Sequence, residues 1–284
     1  MKNRNVDNIS IRGQSHVLAG KECQDSSASW QGKKYSAVII SDGHGGEKYF
    51  RSATGSRIAC EVGKEIVSSF MESVRKNNLF DVFTKKSAKR EEMLSRLERS
   101  IIQRWNEEVE ADSADFPFET DARFAALSDS DKESVIRTHS KAYGATFIAA
   151  VVTAHYFFVL KLGDGNVCVL KENAPQLFFG INDELRDDQL QFNLTTSLCG
   201  GDADKEFKHC FVGADEAQID GLILTTDGII NSYTSEQAYL DFVGNIFGAY
   251  KEESVASAHA ELAEFLPRLS EKGSGDDLSV GIVF

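Results

Sequence analysis

Proline is scarce in this chain. Three occur in 284 residues (Pro117, Pro175, Pro267). No Gly/Ser-rich linker divides the sequence, and no internal repeat is visible, so the expectation is a single domain over 1–284. Cysteine is sparse too. Cys23, Cys60, Cys168, Cys199 and Cys210 are odd in number, widely scattered and never paired as C-x-x-C. That argues against a disulfide framework or a zinc site and for a reducing cytoplasm. Positive charge is in deficit: 31 Lys and Arg stand against 44 Asp and Glu, a net charge of −13. Nucleic-acid and anionic-membrane binders need a positive footprint, so neither partner is expected. No apolar run approaches the ~20 residues of a membrane-spanning helix. The opening MKNRNVDNIS has no apolar stretch of the secretory kind. What remains is ordinary for a soluble globular protein: 42% hydrophobic and 26% charged residues, with length enough for a sizeable core.

The segments alternate in character. Residues 35–41 (YSAVIIS) form a short β-branched run stopped by Asp-Gly, which reads as a buried strand. A glycine loop follows, then a helix from Tyr49 to about Lys76. Residues 87–110 are a clearer amphipathic helix, with Leu94, Leu97, Ile101, Trp105 and Val109 on one stripe. Residues 112–132 are polar and read as a loop or short helices. GATFIAAVVT from Gly144, HYFFVLKLG from His155 and NVCVLKE from Asn166 read as consecutive strands on tight turns, with Asp164-Gly165 as a hairpin signal. Residues 207–212 and 222–226 add strands, 236–250 and 252–272 add helices, and LSVGIVF from Leu278 closes the chain as a strand. Strands in hairpins and helices in pairs imply α+β, an antiparallel core covered by helices.

Four aspartates share a placement. Asp42, Asp164 and Asp227 each follow a buried-looking strand and precede a glycine, and Asp276 comes two residues before the last strand. Asp-Gly is also a common turn, which is the ordinary reading of any one of them. Together at one sheet edge they would repel unless protons or cations compensate. Hard divalent cations, Mg²⁺ or Mn²⁺, suit an all-oxygen site. His44 lies two residues after Asp42 in a Gly-rich loop; a free histidine titrates near neutrality and can give a proton to a leaving group, and an exposed turn histidine is the plainer reading.

Asp42-Gly43-His44-Gly45-Gly46 after an apolar strand resembles the signature of the type-2C (PPM) metal-dependent protein serine/threonine phosphatases. The family's other motifs occur in order. They are residues 23–26 (CQDS), Gly144-Ala145-Thr146, Gly163-Asp164-Gly165-Asn166, Thr226-Asp227-Gly228 and residues 275–279 (GDDLS). The likeness spans about 13–284. It implies an α-β-β-α sandwich, two antiparallel sheets flanked by helices, with two or three Mn²⁺ or Mg²⁺ ions at one edge. Carried over, Asp42 would bridge two metals and the Gly43 carbonyl would ligate one. Asp227 and Asp276 would complete the other, Asp25 would act on the metal shell, and Asp164 would serve a third, weaker ion. His44 would protonate the leaving alkoxide as a metal-activated water attacks phosphorus directly. The implied substrate is a phosphorylated protein, opposing a Ser/Thr kinase in cytoplasmic signalling, with the enzyme a monomer.

The sequence departs from the family in places. Gly20 stands where many members carry a phosphate-anchoring arginine, leaving Lys21 or His16 as substitutes, neither with arginine's bidentate fork. Gln24 replaces Glu, and Gly165-Asn166 replaces Ser-Arg, as in a divergent bacterial-like branch. Residues 76–137 exceed the family spacing and read as a helical elaboration, either packed on the sandwich or touching substrate. Residues 194–208 read as a flap beside the site. Calcineurin-like phosphoesterases also use Asp-x-His, but the six histidines form none of their motifs. A catalytically impaired phosphatase-like domain that binds phosphoproteins is the alternative. The missing arginine favours it, and the retained Asp42, Asp227, Asp276 and His44 oppose it.

Overall fold

The computed structural model describes residues 4–172, 174–178, 196–213 and 218–284. Two antiparallel sheets form its centre. One has the spatial order β2 (Ser26–Gly32), β3 (Tyr35–Ser41), β4 (Phe147–Thr153), β5 (Tyr156–Leu162) and β8 (Lys208–Gly213). The other runs β1 (Val6–Ile11), β10 (Leu278–Val283), β9 (Gly221–Thr225), β6 (Asn166–Lys171) and β7 (Ala174–Leu177). In chain order the α-helices are α1 (Gln14–Ala19), α2 (Ser52–Lys76), α3 (Phe80–Thr84), α4 (Ala88–Asp115), α5 (Ala122–Ala126), α6 (Asp129–Arg137), α7 (Ala203–Glu206), α8 (Asp227–Ile230), α9 (Glu236–Glu252) and α10 (Val255–Lys272). Among the described residues no helix is long and apolar enough to cross a membrane.

The layers follow from alternation. In β3, Tyr35, Ala37 and Ile39 point toward the buried stripes of α2 and α4, while Val38 and Ile40 point into the space between the sheets. In β4, Phe147, Ala149 and Val151 face the helices and Ile148, Ala150 and Val152 face the other sheet. Both faces are covered, so the period of two is hidden inside a continuous apolar run. On the far side Cys168, Ile223, Val280 and Ile282 pack against Tyr239, Phe242, Val243, Leu262 and Leu266 of α9 and α10. The α-β-β-α sandwich expected from the sequence is what forms.

Two strands escaped the sequence reading because their inward faces are polar. Asn8 Nδ2 donates to Ser27 Oγ (3.0 Å), Ser29 Oγ donates to Asn8 Oδ1 (2.7 Å), and Ser10 Oγ donates to Ser27 Oγ (2.8 Å). These bonds join β1 of one sheet to β2 of the other, where an apolar contact would be expected. β7, an edge strand among the described residues, was missed as well; its Pro175 is tolerated because an edge has fewer ladder bonds to lose.

One expectation is corrected. Asp164-Gly165 does not close a hairpin: β5 lies in one sheet and β6 in the other, where β6 pairs with β7 and β9. A two-residue type I′ turn needs positive φ at both central positions. Here the positive φ falls on Gly163 (115°), before the aspartate. A Cβ on Gly165 would lie 2.8 Å from both Ile148 Cδ1 and Thr225 O, so glycine lets the chain cross between sheets. Other differences concern boundaries. α2 begins at Ser52, since 47–49 is a 3-10 turn, and 112–132 resolves into the end of α4, a 3-10 turn, α5 and the start of α6. The flap reading 194–208 lies partly outside the described residues, at 194 and 195.

The helical elaboration is anchored by Trp105 of α4, fully buried, whose Nε1 donates to Gly55 O of α2 at 2.9 Å. Trp105→Ala is expected to lower stability by about 3–5 kcal/mol, read from urea-denaturation midpoints. A loss under ~1 kcal/mol would contradict this packing.

Candidate active site

Register decides what meets at one end of the sandwich. Ser26 pairs with Ser41 and Phe147 with Leu162, so the start of β2, the end of β3, the start of β4 and the end of β5 share an edge. In the other sheet Thr225 pairs with both Val280 and Asn166, aligning the end of β9 with the starts of β10 and β6. Asp25, Asp42, Asp164, Asp227 and Asp276 flank these strand ends. The Thr226 hydroxyl ties the sheets together there: Oγ1 donates to Asp25 Oδ2 (2.8 Å) and accepts from Ser279 N (2.9 Å).

The loop after β3 is held by its backbone. Asp42 N donates to Thr146 Oγ1 (2.9 Å), Gly43 N to Gln24 O (3.1 Å) and His44 N to Gly144 O (3.0 Å). A Cβ at Gly43 would lie 2.6 Å from Gln24 O and 2.7 Å from Ser52 O, so only glycine fits. The His44 ring lies edge-on to Tyr49, centroids 4.8 Å apart. Asp227 Oδ2 accepts from Asn231 Nδ2 (3.0 Å), and Asp276 stands exposed at the rim.

Electrostatics mark the edge as crowded. Burial pushes the Asp42 carboxyl well up, and the charges of Asp25, Asp227, Asp164 and Asp276 push it further. Asp25 is raised by burial and by Asp277, against the hydrogen bonds from Thr226 and Ser279. Asp227 is pushed up to about 6, by burial first and Asp164 next, while a hydrogen bond with Asp42 opposes the rise. Carboxyls crowded in this way favour protonation or a compensating cation. Burial lowers His44, aided by Lys48 and opposed by Asp164.

Among the described residues, no three His, Cys, Asp or Glu side chains enclose a single point as a closed metal shell would. The donor set, all oxygen and mutually repelling, still fits a hard divalent cation.

The phosphate candidates fare differently. His16 Nδ1 lies 2.9 Å from Asp277 Oδ2, an ion-pair distance without hydrogen-bond geometry, so the half-buried ring stands beside that carboxylate. Lys21 is exposed. Gly20, where an arginine was looked for, closes α1 in a left-handed conformation (φ 65°) with its N–H on His16 O and Val17 O, a position that favours glycine.

Two residues were missed. Asp277, buried, accepts from Gly13 N and Gln24 N, both at 2.5 Å, and pins the 13–24 segment beside the edge. Its neighbour Asp276 drew attention in the motif, and the doubled aspartate was the available signal. Lys161 is buried near Asp164; burial lowers its ammonium to about 8, Asp164 pulls it up and Lys208 pushes it down. Its place in an apolar strand was the signal.

A family model described as protein phosphatase 2C matches residues 12–267. No curated protein matches the chain. Among solved structures, the serine/threonine phosphatase Stp1 from Staphylococcus aureus is 13% identical, with 99% of this chain and 94% of that one covered and a TM-score of 0.58. The catalytic domain of the serine threonine protein phosphatase PstP, in complex with 2 manganese ions, is 15% identical over 98% and 96%, TM-score 0.54. The S. agalactiae serine/threonine phosphatase is 16% identical over 99% and 98%, TM-score 0.55. At such identities the likeness is one of fold.

A carboxyl raised on folding favours the folded state below its ordinary value near 3.8 and loses that contribution as pH rises through about 6. In EDTA, Asp227→Asn is therefore expected to melt with the wild type near pH 4 and above it at pH 7, by something on the order of 1–3 kcal/mol. Adding Mn²⁺ should raise the wild-type melting temperature more than the variant's. A variant that melts lower at pH 7 without metal would refute the charge crowding.

Proposed function

Since the chain belongs to the protein phosphatase 2C family, we propose that its aspartate edge holds two Mn²⁺ or Mg²⁺ ions and hydrolyses phosphoserine and phosphothreonine in proteins. The observation that carries this reading is the carboxylate edge itself: Asp42 and Asp227 close enough to hydrogen-bond, with Asp25, Asp164 and Asp276 acting on the same groups. In this reading Asp42, the Gly43 carbonyl, Asp227 and Asp276 hold the ions. Asp25, oriented by Thr226, acts on their shell, and Asp164 serves a weaker third ion. When bound, the ions supply the water nucleophile and neutralise the phosphoryl oxygens during in-line attack.

The chain's own residues then have definite tasks. The backbone bonds of 42–44 fix the loop before substrate arrives. His44, aimed by its bond to Gly144 and by the Tyr49 ring, gives its proton to the serine or threonine oxygen as the ester bond breaks. Burial lowers its basicity, and the negative charge of a bound phosphoryl group opposes that effect. Phosphate anchoring falls to Lys21 and the ions, since His16 is paired with Asp277. The whole chain is read as one phosphatase domain, a cytoplasmic monomer acting on the product of a Ser/Thr kinase.

The impaired-domain reading draws on Gly20 alone, and two measurements decide. With saturating Mn²⁺ the purified protein should turn over a phosphoserine peptide and p-nitrophenyl phosphate, and Asp42→Asn should abolish both; no turnover by the wild type would sink the enzyme reading. His44→Gln should lower kcat by ~10²–10⁴ on the peptide, whose alkoxide needs a proton, and by less than ~10-fold on the aryl ester, whose phenolate leaves without one. Equal losses would remove the acid role.

A further inference from the structure

Beside His44 lies a cavity of about 520 Å³, lined in part by Lys21, whose apolar walls phosphate chemistry does not use. Its walls come from three separate stretches, within 20–24, 45–50 and 123–127. Tyr49 belongs to both places, lining the cavity and touching the His44 ring. Gln24 lines it as well and accepts from the Gly43 amide, so the cavity opens directly off the loop that carries Asp42. Phe50 and Leu127 are its buried apolar surfaces, and Ala126 of α5 is exposed on its wall.

Its charges cancel. Arg123 and Lys21 face Glu22 and Glu47. Arg123 is further neutralised by Asp121, with bonds of 3.1 Å and 2.9 Å, and by Glu22 at 3.1 Å. Asp121 Oδ2 also lies 3.7 Å from the buried Arg51, which fixes this wall to the core. With Lys21 turned over to the phosphate, the apolar walls offer a partner to neither a further anion nor a second cation. The volume falls within the ~300–1,000 Å³ typical of ligand pockets and admits an aromatic side chain.

We propose that this cavity receives a bulky apolar residue flanking the phosphoserine or phosphothreonine of the protein substrate, with Tyr49, Phe50, Ala126 and Leu127 determining that preference. The proposal rests on the phosphatase reading above. It gives the 76–137 elaboration a role in substrate choice, because α5 supplies one wall.

The test is equilibrium binding by fluorescence anisotropy, with Mn²⁺-loaded protein and labelled peptides carrying a non-hydrolysable phosphonate in place of phosphoserine. Phenylalanine beside the phosphonate should bind roughly tenfold tighter than glycine there. Ala126→Trp, a change at an exposed position, fills the cavity and should bring the two peptides within ~2-fold of each other. Equal binding by the wild type, or a preference that survives Ala126→Trp, would overturn the proposal. A preference present in protein that turns over no phosphoester would uphold the cavity and sink the phosphatase reading instead.

Discussion

Carboxylates removed from water repel, and strand register gives this chain no way to keep them apart. Asp25, Asp42, Asp164 and Asp227 stand where β2, β3, β5 and β9 begin or end, and those ends share one edge of the sandwich. The surrounding details answer that crowding. The Thr226 hydroxyl and the Ser279 bond steady Asp25, Asp42 opposes the rise of Asp227, and Lys161 brings positive charge near Asp164. Carboxyls crowded in this way cost folding free energy as pH rises and their protons leave, so charge and stability are linked through the same groups.

The central strands and the long helices were legible because their apolar periodicity is strong and their burial complete. The candidate site was legible for a related reason: Asp42, Asp164, Asp227 and Asp276 adjoin such strands, so the elements easiest to find also mark where these acids go, while Asp25 adjoins the hidden β2. What stayed hidden was polar on the inside. β1 and β2 bury Asn8, Ser10, Ser27 and Ser29 in mutual hydrogen bonds, which composition alone cannot separate from loop. Asp164-Gly165 was misread as a hairpin because a turn signal reports local chain reversal and not which sheet the next strand joins. Nothing local shows that Asp277, 261 positions away, stands 2.9 Å from the ring of His16, a candidate phosphate ligand.

The helical segment between Asp42 and Asp164 is bound into the core. Arg51, buried at the head of α2, donates to the Tyr143 hydroxyl (2.7 Å), lies 3.4 Å from Asp112 and sits 4.7 Å over the Phe118 ring. Through Asp121 it also reaches Arg123. A buried arginine left without these partners would be strongly destabilising, so the segment that carries α5 has one arrangement compatible with the folded core.

The serine and asparagine seam between β1 and β2 has a consequence for accuracy. Oily faces can slide over one another at little cost, because dispersion has no preferred direction. Hydrogen bonds do, and a displacement of a few ångströms breaks every one of them. The seam therefore works as a vernier between the two sheets. It sets their relative offset at one border of the sandwich, and that offset is inherited by Asp25 and Thr226, which belong to different sheets but must meet at 2.8 Å.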